Sequence, residues 1–159
     1  KMFRRYVYDE EKTPYFTAVN KLNKRQARNE IFFYAFFVGM LFGILGLIAL
    51  TGKLPHGSTV GVPIYAFFTV WLAITFAWTK NQMVGAACAL APIALAIYLA
   101  FYGFPPKLGI NDKILVGFVL AGWLLYSWRL VLLVARYPDM PEATGPRRPL
   151  RRNPFDILK

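Results

Sequence analysis

The chain has a single histidine, a single cysteine and only 8 acidic residues among 159, and each shortage closes off a class of chemistry. His56 stands alone between Pro55 and Gly57. Haem held by two imidazoles, copper sites and multi-histidine iron sites all need more ligands than this. Cys88 has no partner for a disulfide framework or an iron–sulfur cluster, and its Ala-rich apolar surroundings predict a small buried packing residue. The long apolar runs contain no Asp or Glu. Proton-coupled carriers rely on an ionisable group near the membrane midplane, and hydrolases need a base beside their nucleophile. Ser127 and Thr75 lie in apolar runs without His or carboxylate to activate them. The expectation is a protein that is not an enzyme and holds no metal or cofactor of its own.

What is present is apolar surface. Hydrophobic residues make up 57% of the chain and aromatics 17%, with 14 Phe. Charge is confined mostly to the first 30 and last 24 positions, whereas a soluble fold would spread it along its helices. The formal net charge of +11 could suggest nucleic acid, but the basic residues flank hydrophobic runs and are explained by membrane orientation. No cleavable signal is expected, because the first apolar run follows a 30-residue polar lead and is too long for a signal-peptide core, and Asp9, Glu10, Glu11 and Glu30 in that lead argue against a transit peptide.

Four membrane spans are predicted. Ile31 to Thr51 is uncharged over 21 residues, a helix of roughly 30 Å, about the thickness of a bilayer's hydrocarbon core. Val60 to Thr79 follows, with Pro63 in its first turn. Met83 to Tyr102 is the third span, and Pro92 in its interior predicts a kink. A loop over Gly103–Lys113 leads to the fourth span, Ile114 to Ala135, which carries one charge, Arg129. Fifteen Lys and Arg fall on the side of the termini against three on the other, Lys53, Lys107 and Lys113. The positive-inside rule then places both ends on the cytoplasmic or matrix side. The expected fold is an all-α integral membrane protein, a four-helix up-and-down bundle with both termini in. The chain divides into a basic segment (1–30), the transmembrane region (31–135) and a Pro/Arg-rich tail (136–159).

Small residues mark the expected helix contacts: Gly39, Gly43 and Gly46 in the first span, Gly85 and Ala89 in the third, Gly117 and Ala121 in the fourth. They serve packing within the bundle or docking of another protein's helix. Phe32, Phe33, Tyr34, Phe36 and Phe37 crowd the inner end of the first span. They suit an interfacial belt, a lipid-facing surface, or contact with a pigment or quinone. Arg129 lies seven residues before Arg136, about two turns deep. With no acid in any span it has no expected partner in its own chain. It either snorkels to the inner headgroups or meets an acidic lipid or a partner's carboxylate.

Thr17 to Glu30 reads as a helix with Lys21, Lys24, Arg25 and Arg28 on one stripe and Phe16, Val19 and Leu22 as an apolar set, suited first to an anionic membrane surface and second to an acidic patch on a soluble subunit. From Arg136 the chain has five prolines and the cluster Arg147, Arg148, Arg151 and Arg152, which predicts an extended tail. In layout the chain resembles the small accessory subunits of respiratory or photosynthetic membrane complexes. That resemblance implies a non-catalytic subunit of a bacterial inner membrane or an energy-transducing organelle membrane, with larger membrane subunits and anionic lipids as partners. A small oligomeric transporter or channel is the alternative, and a transient assembly factor a third reading.

Overall fold

The computed structural model describes residues 15, 17–52, 60–104 and 107–143. Asn23 fixes where its first helix begins. The Asn23 side chain accepts from the Gln26 backbone N–H at 2.9 Å, and the Gln26 side chain accepts from the Asn23 N–H at 3.1 Å. This reciprocal box satisfies two of the donors that a helix start leaves unpaired. Helix α1 (Lys24–Leu50) then runs without a break for 27 residues. The sequence-based expectation of a separate surface helix over Thr17–Glu30 is therefore corrected. A short 3-10 turn at Val19–Lys21 is followed by an extended Leu22, and Lys24 to Glu30 are the first turns of α1 itself. Leu22 is fully buried and Val19 packs on the core, so these two members of the apolar set face protein, while Phe16 lies outside the described residues.

Helix α2 (Gly61–Thr79) ends at Lys80, which takes the left-handed conformation (φ 51°) and turns the chain sharply. Asn81 then caps α3 (Gln82–Ala89), accepting from the Met83 N–H at 2.8 Å. Helix α4 (Ala91–Tyr102) continues along the same rod after an interruption at Leu90. Pro92 lacks the N–H that the ladder needs, and its ring crowds the carbonyl four residues back, so the helix breaks just before it. Helix α5 (Ile110–Arg136) starts four residues earlier than the uncharged run implied. Among the described residues there is no strand, and four rods are long and apolar enough to cross a membrane.

The tail expected to leave α5 in extended form instead first turns back. Tyr137–Asp139 form a 3-10 turn, Met140 is buried, and the Pro141 carbonyl accepts from the Lys24 N–H at 3.0 Å. Lys24 Nζ also pairs with Glu142 at 3.2 Å. Arg147, Arg148, Arg151 and Arg152, like His56 and Lys53, lie outside the described residues.

Helices α1 and α2 share a close antiparallel seam, with Gly39 opposite Ala73, Gly43 opposite Val70 and Gly46 opposite Ala66 and Phe67. Hydroxyls on α2 turn inward to their own helix. Thr69, Thr75 and Thr79 each donate to the carbonyl four residues back, which satisfies a polar group without water. Burial is uneven along the rods. Between Pro92 and Trp123 no described residue is buried, so α4 and the first half of α5 stand largely uncovered.

Candidate functional site

Capping places Glu30 about 9 Å along α1, and Arg129 lies about 10 Å before the end of α5, so antiparallel packing brings the two level. Arg129 Nε donates to Glu30 Oε1 at 2.8 Å and Nη2 to Oε2 at 3.3 Å, a two-pronged pair. The Tyr126 hydroxyl donates to Glu30 Oε1 at 3.0 Å. Arg129 Nη1 reaches past the pair to the Thr17 carbonyl at 2.7 Å. The Glu30 side chain is 1% exposed and that of Arg129 is 20% exposed. The expectation that Arg129 lacks an acidic partner in its own chain is thus overturned. Glu30, the last residue of the polar lead, is buried inside α1.

A second polar contact lies one turn deeper. Tyr34 Oη and Ser127 Oγ are 2.6 Å apart and buried. The indole of Trp123 packs edge-on against Phe37, with ring centroids 5.6 Å apart, and also against Phe42. Its Nε1 is the one buried side-chain polar atom without a hydrogen-bond partner among the described residues. Cys88 is fully buried on α3.

This arrangement is a clamp. The carboxylate of Glu30 takes three donors from two α5 side chains, and the guanidinium carries the remaining link to the segment before α1. Ser127 is engaged by a phenol, which is no base at neutral pH. Among the described residues no group of three His, Cys, Asp or Glu is placed to hold a metal ion.

The remaining predicted positions divide by environment. Gly39, Gly43 and Gly46 line the α1–α2 seam, and Gly85 lies against the ring of Phe76, with Ala89 half-buried nearby. Gly117 and Ala121 are exposed, and nothing lies within 4 Å of where a Cβ at Gly117 would stand. Of the basic residues, Arg129 is consumed by Glu30 and Lys24 by Glu142, whereas Lys21, Arg28 and Arg136 are exposed and Arg25 half-buried. Phe32, Phe33, Phe36 and Phe37 are exposed, while Tyr34 points into the core.

Sequence reasoning missed Glu30, Tyr126 and Tyr34 as members of one cluster. The spacing Asn23–Gln26 was the available signal, since a capping box there carries Glu30 two turns inside the helix. Comparison with protein families, curated proteins and solved structures found no match for the chain.

Proposed function

We propose that the four rods cross a membrane as an up-and-down bundle with both ends on the cytoplasmic or matrix side. On this reading the chain is a non-catalytic accessory subunit that stabilises a larger respiratory or photosynthetic complex. The bias of Lys and Arg toward the side of the termini supports the orientation. The observation that carries the subunit reading is the uncovered outer half of α4 and α5. There Gly117, Ala121 and Gly122 leave open space that a neighbouring subunit's helix fills by close backbone approach. The polar groups nearer the inner end are spent on holding α1 to α5, which suits a scaffold more than a reaction centre. Bound anionic lipid, and contact of the exposed aromatics with a neighbour's pigment or quinone, belong to the same proposal. The helix break at Leu90 is the feature that favours the alternative of a small oligomeric transporter or channel, as a joint that moves.

On the same reading the Pro/Arg-rich tail clamps the larger subunits at the end near the termini, and the test removes residues 144–159 while leaving the Pro141–Glu142 contacts with α1 intact. The parent complex is expected to lose this chain, or to run as a smaller species on a native gel. A complex of unchanged size and yield contradicts a clamping role for the tail.

A further inference from the structure

The first two turns of α1 hold Lys24, Arg25 and Arg28, and the first turn has no acid. The helix dipole disfavours cations at this end, so helix stability does not account for them. Lys24 is taken up by Glu142, but Arg28 is exposed and makes no ion pair among the described residues. At 3.6 residues per turn, Arg25, Arg28, Phe32 and Phe36 fall within about 80° on one face. Phe32 and Phe36 are 56% and 55% exposed, and their rings stack at 6.4 Å with 15° between planes. This face borders the α1–α2 seam. Continuing the Gly39–Ala73 register seven residues toward the inner end sets Phe32 level with Lys80. Lys80 holds a left-handed conformation that glycine would adopt more cheaply, so the position gives up backbone ease and gains a cation.

We infer that this rim binds an anionic phospholipid, with its phosphate between Arg28 and Lys80 and an acyl chain along Phe32 and Phe36. The inference rests on the membrane reading above. Cations at the headgroup level directly above an exposed aromatic strip match the two halves of one lipid molecule. A soluble acidic partner would use the cations and leave the strip without a role.

The test uses the full chain purified in mild non-ionic detergent, offered dioleoylphosphatidylglycerol or dioleoylphosphatidylcholine at equal concentration and examined by native mass spectrometry. The anionic lipid is expected to be retained about tenfold more than the zwitterionic one. R28Q/K80Q should bring the two lipids close to parity, while K107Q, at the opposite end of the rods, keeps the preference. Millimolar inorganic phosphate should leave the lipid adduct in place. Equal retention of the two lipids by the native chain overturns the inference. So does an unchanged preference in R28Q/K80Q, or displacement by phosphate, which would mark a site for free anions. A chain that leaves the membrane fraction on carbonate washing would instead refute the membrane reading itself.

Discussion

Arg129→Ala is expected to destabilise the helical region by about 3–5 kcal/mol, the usual cost of stranding one partner of a buried ion pair. The Glu30 carboxylate would remain buried with the Tyr126 hydroxyl as its surviving donor, and the Thr17 carbonyl would lose its link to α5. Glu30→Gln should cost less, because it removes the charge from the more deeply buried side and leaves an arginine that is 20% exposed. The double variant E30Q/R129M should recover part of the loss, since no uncompensated charge stays behind. Thermal melting in mild detergent reads the three against the parent. An R129A protein that melts with the parent, or a double variant worse than the sum of its singles, would contradict the clamp.

The second large effect is expected at Gly85. A Cβ there would stand 2.7 Å from Cε2 of Phe76, and that ring is fully buried. Gly85→Ala should therefore cost about 1–3 kcal/mol through overpacking, and Gly85→Leu more. Gly117→Ala and Gly122→Ala meet open space and should be neutral, or gain up to about 1 kcal/mol from better helix propensity. The same melting series reads this contrast. Equal losses at Gly85 and Gly117 would mean that the packing of α3 against α2 is not as described.

The four rods were legible in the sequence because uncharged length alone identifies them, and the break before Pro92 because proline removes a ladder donor. Their ends were less legible. A charge-free window stops at the last charge, whereas a helix stops where its backbone groups are capped, so α1 begins at Lys24 and not at Ile31. That difference hid the Glu30–Arg129 pair. Hydropathy records depth along one chain segment and carries no information on which residues meet across 99 positions. The glycines show the same limit. Composition marks Gly85 and Gly117 alike, and only the rotation of each helix about its axis decides that one faces a ring and the other open space.

The rods are clamped at the end near the chain termini and uncovered over α4 and the first half of α5, which suits the proposed subunit that is held firmly at one end and presents the other to a neighbour. The most direct measurement is purification of the tagged chain in mild detergent, followed by mass spectrometry and an absorption spectrum of the eluate. The account predicts stoichiometric recovery with redox or pigment-binding membrane subunits and their chromophores. Recovery alone, or as a homo-oligomer without a chromophore, would contradict the accessory-subunit reading and favour the transporter.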